Sequence, residues 1–264
     1  FSIFNFKSIF NVLIFNLLFV TLLFTKSRSG LLAFGISSLV FWGMSLFGST
    51  SSSDPPPKLG GGRQGVVLIM SLFILIVGLL TFSIKNPIRD LILPSTQPLA
   101  LSTGTVLETG GTESGSIRKI VWKGAVNIWL GNVKNFMIGS GPETFAQAYY
   151  QYRPTEHNNT SEWELLYNKA HNEFLNQLAT TGILGFGSYL VLLISMIYLY
   201  LTPTPSPKLG EGKLASGVRY SPLHIALFAG WLTILITNFW GFSVVVTQLL
   251  LFLLPAFAQT LNEK

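Results

Sequence analysis

Six stretches of this chain, residues 9–25, 31–48, 66–84, 183–201, 223–239 and 243–259, carry no Asp, Glu, Lys or Arg, and each approaches the length of a bilayer crossing. A helix rises about 1.5 Å per residue, so roughly 20 apolar residues cross the hydrocarbon core. Inside that core every backbone N–H and C=O has to be satisfied within the protein, which a helix does by itself. The expected fold class is all-α: a polytopic transmembrane helix bundle of about six spans with a long, partly helical extracytoplasmic loop. Composition agrees, because 49% of the 264 residues are hydrophobic and only 11% charged, at a mean hydropathy of +0.50. Those values fit an ordinary water-soluble domain poorly.

Connectors at 25–30 and 238–243 are too short for anything but tight reversals, so they predict helical hairpins. Counting crossings puts the N-terminus, the loops 49–65 and 202–222 and the C-terminus on one side. Lys7, Lys58, Arg63, Lys208, Lys213, Arg219 and Lys264 outnumber Asp54, Glu211 and Glu263 there. By the positive-inside rule this side is cytoplasmic, which puts the 85–181 loop on the outer side of the membrane. The net charge of +6 is therefore a topology signal and not a nucleic-acid footprint. Three regions follow: three spans in 1–84 with an external turn at 25–30, the external loop 85–181, and three spans in 182–264. The first residue, Phe1, falls in an apolar run with no basic segment before it, which leads us to expect a fragment of a longer protein. There are no cysteines, hence no disulfide, thiolate metal site or cysteine nucleophile.

The two cytoplasmic loops share a near repeat, Pro56–Arg63 and Ser206–Lys213, rich in Gly and ending on a cation. Neither copy has phosphate-loop spacing or a strand before it, so both read as flexible linker.

The 85–181 loop is too long to be a plain connector. Residues 85–115 are rich in Pro, Ser, Thr and Gly and read as irregular. Ile117, Ile120, Val121, Ala125, Ile128 and Trp129 then recur at helical spacing, predicting an amphipathic helix over 116–132 with Arg118, Lys119 and Lys123 on its polar part. Those cations suit lipid headgroups as well as an anionic substrate. Gly139-Ser140-Gly141-Pro142 predicts a helix beginning at Pro142 and running to about Tyr152; its free N–H groups could meet an anion, or the glycines could simply shape a turn. Ser161-Glu162-Trp163-Glu164 matches a capping box, predicting a third helix that carries Trp163, Leu166, Tyr167, Ala170, Phe174 and Leu178 on one face and stops at Gly182. His171 lies at the edge of that stripe, as a packed residue or a catalyst. His157 sits in a polar stretch and is expected to be solvated, and His224 falls at the cytoplasmic end of the fifth span.

The ordered set Gly139-Ser140-Gly141-Pro142-Glu143-Thr144-Phe145, Tyr149, Tyr152-Arg153-Pro154, Ala170-His171-Asn172-Glu173-Phe174-Leu175 and Leu178-Ala179-Thr180-Thr181-Gly182-Ile183-Leu184-Gly185 resembles the O-antigen ligase and polymerase superfamily. Arg118 ahead of Trp122 and Ala125, and Thr25-Lys26-Ser27-Arg28-Ser29-Gly30, fit the same pattern. The resemblance implies a multi-span inner-membrane glycosyltransferase that moves or polymerises glycans carried on undecaprenyl diphosphate, without a metal or other cofactor. It implies His171 as the base that takes a proton from an acceptor hydroxyl, with Arg153 catalytic beside it. Arg28, Arg118, Gly139, Gly141 and Tyr152 are the implied substrate-binding residues. Partners would be the lipid-linked saccharide donor, a glycan, lipid or protein hydroxyl acceptor, and membrane lipids. An imidazole suits proton abstraction near neutral pH, and guanidinium forks suit a diphosphate leaving group. Transport is the competing class, since some relatives of the superfamily have been linked to bicarbonate uptake. Transporters place ionisable groups near the bilayer midplane, whereas here the polar groups gather in the loop.

Overall fold

The computed structural model describes residues 6–25, 27–47, 114–202, 220 and 222–262, and every regular element among them is helical. The predicted span 66–84, residues 85–113 of the long loop, and both copies of the near repeat lie outside the described residues. The chain divides into two units, one of residues 1–98 with 214–219 and one of residues 99–213 with 220–264.

Within the first unit, α1 (Phe6–Phe24) and α2 (Arg28–Phe47) form the hairpin that the short connector predicts. Ser27 caps α2, its hydroxyl accepting from the Gly30 N–H at 3.1 Å. Phe34 packs against Phe15 and Phe19, with ring centroids 6.1 and 5.1 Å away. Arg28 is the first residue of α2 and is exposed.

The second unit holds α3 (Ser114–Leu130), α4 (Val133–Ile138), α5 (Phe145–Tyr152), a 3-10 turn (Thr155–Asn159), α6 (Glu173–Leu201), α7 (Pro222–Trp240) and α8 (Val245–Asn262). The amphipathic reading of α3 holds: Ile117, Val121, Ala125 and Ile128 are buried, one turn apart, against Phe145, Tyr149 and Ala179. Gly124 lets Tyr149 approach α3, since a Cβ there would lie 2.3 Å from the Tyr149 ring. On α5 the expectation shifts slightly, because Pro142 and Glu143 form a turn and the helix starts at Phe145.

The third predicted loop helix is not formed from Ser161. A helix there would need the carbonyls of Glu162 and Trp163 for its own N–H groups. Instead Glu162 O accepts from Leu165 N at 2.9 Å, a single tight turn, and from His157 Nε2 at 3.2 Å, while Trp163 O accepts from Arg153 Nη2 at 2.5 Å. The helix begins at Glu173 with Asn172 as cap, its Oδ1 accepting from the Leu175 N–H at 3.0 Å. Gly182, predicted as a stop, is a kink inside α6, at φ 63° and ψ −170°. The kink frees the carbonyls of Ala179 and Thr180, which accept from Ser140 N at 3.0 Å and Gly141 N at 2.9 Å.

Two of these helices are long and apolar enough to cross a membrane, Glu173–Leu201 and Leu223–Trp240; Ile14–Phe24 and Val245–Thr260 are shorter apolar helices. The last carbonyls of α6 are capped from three directions, by Gln259 Nε2 on Leu199 O, His224 Nε2 on Tyr200 O and Tyr220 Oη on Leu201 O. In α8, Pro255 has no N–H for the carbonyl of Leu251, and the buried Trp231 indole donates to it at 2.9 Å. These ties hold α6, α7 and α8 together, and they bring the α7–α8 turn against the start of α6.

Candidate functional site

The chain has three histidines, and all three are described. His224 is spent on the α6 carboxyl end. His157, expected to be solvated, is fully buried. Glu162 O can only accept, so His157 carries its proton on Nε2 and its Nδ1 lone pair receives the Tyr149 hydroxyl at 2.7 Å. Burial, and then the nearby Arg153 charge, hold His157 below the ordinary histidine pKa. Burial also pushes the Tyr149 phenol up to about 12. The polar neighbours of His157 in sequence turn outward, which is why its local pattern concealed its burial.

His171 differs. It is half-buried, and among the described residues neither ring nitrogen is hydrogen-bonded to the protein. Aromatic walls hold it, with Tyr167 at 5.5 Å and 77° on one side and Phe242 at 5.1 Å and 86° on the other. Its backbone is left-handed at φ 52°, a conformation that costs a non-glycine residue about 1–3 kcal/mol and persists only where the surroundings impose it. Burial and then the Arg118 charge hold its pKa below the ordinary value. The imidazole is therefore neutral, with an unclaimed lone pair, at neutral pH.

Arg118, on α3, is near enough for its charge to act on His171. Trp122, one turn on, meets Phe239 edge-on at 5.7 Å, and Phe239 in turn lies 6.4 Å from the Phe174 ring. The same corner is tied by Glu173, whose buried carboxylate accepts from Ser243 N at 3.0 Å and from Gln177 Nε2 at 2.9 Å. Asn238 Nδ2 then donates to Ser243 Oγ at 3.0 Å. Ser243, which follows Phe242, and Asn238 thus fix the turn whose ring stands beside His171. Neither Phe242 nor Tyr167 was singled out for such a role in the sequence, because an aromatic residue in a turn or a helical stripe reads as packing.

The other expected site residues fall elsewhere. Arg153, the C-cap of α5, faces Tyr149, His157 and the Trp163 carbonyl. Gly139 and Gly141 present no free N–H groups: Gly139 N donates to Asn135 O, and Gly141 N to Thr180 O, both at 2.9 Å. A Cβ on Gly139 would lie 2.2 Å from the Thr180 carbonyl carbon, and one on Gly182 2.5 Å from Ile138 N. These two glycines are one joint, where α4 and the kink of α6 meet backbone to backbone. Tyr152 seals the α3–α4 corner; its ring fills the space beside Gly131, and its carbonyl accepts from Asn127 Nδ2 at 3.3 Å. Arg28 belongs to the first unit.

A neutral imidazole flanked by aromatic walls, with a guanidinium on the helix beside it, can accept a proton while an anion is held nearby. A family model described as O-antigen ligase matches residues 13–190, well over half of the chain and the whole of this arrangement except the α7–α8 turn. No curated protein and no solved structure matches the chain.

Proposed function

The chain belongs to the O-antigen ligase family, and from that premise we propose that it transfers a glycan from undecaprenyl diphosphate to a hydroxyl acceptor at the outer face of the bacterial cytoplasmic membrane. His171 takes the proton of the acceptor hydroxyl. The freed oxygen forms a bond to the anomeric carbon from the face opposite the leaving group. The bond from that carbon to the diphosphate oxygen breaks, and the electron pair leaves with the lipid diphosphate, so the transfer inverts the anomeric centre.

The observation that supports this reading is His171 itself, a half-buried imidazole in a left-handed backbone with no partner on its nitrogens among the described residues and with the Arg118 charge acting on it. Arg118, whose charge acts on His171, meets the developing charge on the diphosphate. Arg153 is a further cation of the same unit, and Gly139, Gly141 and Tyr152 shape the joint and the corner around it. The reading takes in attachment to a lipid core, polymerisation of repeat units and transfer to protein as variants of one chemistry that differ in acceptor.

The test is release of undecaprenyl diphosphate from an undecaprenyl-diphosphate-linked oligosaccharide, in proteoliposomes that also hold glycolipid extracted from the source membrane. His171→Ala is expected to lower transfer by about 100- to 10,000-fold at unchanged protein level. Wild-type transfer by a correctly inserted His171→Ala protein would remove the base and the reading with it. Omitting the glycolipid acceptor, with accumulation of single repeat units or of unattached polymer as the readout, separates polymerase from ligase.

A further inference from the structure

Nothing in the protein hydrogen-bonds to the ring of His171 among the described residues, so its direction is set by the rings that clasp it. Phe242 is anchored through Ser243 to Glu173 and Asn238. Tyr167 is anchored differently. Its hydroxyl donates to the Glu162 carboxylate. Its ring stands 5.4 Å from His157 and 5.5 Å from His171, with Tyr149 6.1 Å away.

Each of these contacts leads back to one residue. His157 joins α5, through the Tyr149 hydroxyl, to the Glu162 carbonyl in the turn that carries the Tyr167 anchor. Its backbone is held as well: His157 N donates to Pro154 O at 3.1 Å, and its own carbonyl accepts from both Thr160 N at 3.1 Å and Thr160 Oγ1 at 2.8 Å. We propose that His157 is a positioning residue for the transfer reaction, fixing through Glu162 and Tyr167 the ring wall that orients His171. The inference rests on His171 being the base. It adds a residue that touches no substrate and acts through two others.

A displaced wall has two consequences. The imidazole loses its near-attack direction, for which misplacement by about 1 Å costs on the order of 100-fold in rate. The pocket also admits water, so that His171 titrates closer to an unperturbed histidine, against the Arg118 charge that faces it from α3. The first affects kcat and leaves donor KM alone. The second moves the acid limb of the pH–rate profile upward, which a mere loss of folded enzyme does not do.

The experiment compares full-length His157→Phe, His157→Gln and Tyr167→Phe with wild type and His171→Ala in the proteoliposome assay, with Lys123→Ala as the surface control. Phe at 157 keeps a ring and loses both hydrogen bonds; we expect kcat to fall about 10- to 100-fold, donor KM to hold, and the acid limb to rise. Gln can accept from Tyr149 and donate to the Glu162 carbonyl, so it is expected to recover part of both effects. Tyr167→Phe keeps the ring and releases it from Glu162, giving the same signs in smaller measure, and it serves if His157→Phe does not fold. A rate loss that only tracks folded protein, with the acid limb unmoved in every variant, overturns the inference. So does wild-type kcat in Tyr167→Phe and His157→Phe alongside an inactive His171→Ala, while an active His171→Ala overturns the proposed base itself.

Discussion

His157 and His171 both stand against one tyrosine ring, 5.4 and 5.5 Å from its centre, and have opposite fates. His157 is enclosed, both nitrogens committed, one to a hydroxyl and one to a carbonyl. His171 is clasped by ring edges in a strained backbone, its nitrogens left to whatever enters. Both are held below the ordinary histidine pKa, mainly by burial. The lesson is that depression of a pKa does not distinguish a catalyst from a core residue. What distinguishes them is whether the lone pair is already used, and that is a matter of partners.

The comparison can be sharpened most through Arg118, which acts on His171 and is not among the causes of the shift in His157. Arg118→Gln removes a charge that favours the neutral imidazole, so the folded pKa of His171 rises and its acid limb moves to higher pH. If Arg118 also meets the diphosphate, the rate at neutral pH falls about 100-fold. Arg118→Lys keeps the charge without the fork and is expected to leave the limb in place while recovering only part of the rate. A pH–rate profile of both variants checks this, and an unmoved limb in Arg118→Gln would separate Arg118 from the His171 site.

A smaller effect tests the buried partner. Tyr149→Phe deletes the hydroxyl that His157 Nδ1 accepts from, leaving a buried acceptor unpaired at a cost of about 1–3 kcal/mol. Thermal unfolding in detergent at pH 7.5, followed by near-ultraviolet circular dichroism, reads that loss. The pH dependence has a fixed sign. Both histidines bind a proton less readily folded than unfolded, so the unfolded chain takes protons first as pH falls below about 6.5. Their contribution to stability is whole above that pH and declines from there down to their folded values. In the His171→Ala protein the part of the decline in this window that persists belongs to His157. Glu156, held low by its hydrogen bond from Lys123, acts only at lower pH, where its own carboxylate takes a proton.

How much of this was readable beforehand depends on distance along the chain. The hairpin of α1 and α2, the buried stripe of α3 and the apolar run of α6 follow from periodicity and length, which are local properties. The loop around 161–172 did not, because Arg153 and His157, which only the folded chain brings there, bond the Trp163 and Glu162 carbonyls, and Glu162 O closes a tight turn with Leu165 N in place of a helix. Gly139 and Gly182 were each interpretable alone, as a turn and as a stop. Their meeting as one joint requires the kink in α6 and the end of α4 at the same point, and no spacing in the sequence encodes that. By resemblance His171, Arg118, Arg153 and Arg28 were named together as one site. Phe242 was not, since it arrives from a turn some seventy positions away.

The last test is of the periphery. Lys123 and Glu156 form the contact between α3 and the 3-10 turn that most resembles a designed tie, with Nζ and Oε1 2.5 Å apart. Both side chains are more than half exposed, at 56% and 53%. At such a site water already solvates each charge, and ordering two long side chains offsets most of the attraction, so the pair adds little to stability. Lys123→Ala is therefore expected to leave transfer, the acid limb and the melting temperature within error of wild type at physiological salt. If it instead reproduced the His157→Phe phenotype, the 3-10 turn would be held from outside by α3 and not from inside by Tyr149. The contrast between the two histidines would then rest on a surface charge pair, with burial of His157 a consequence of it.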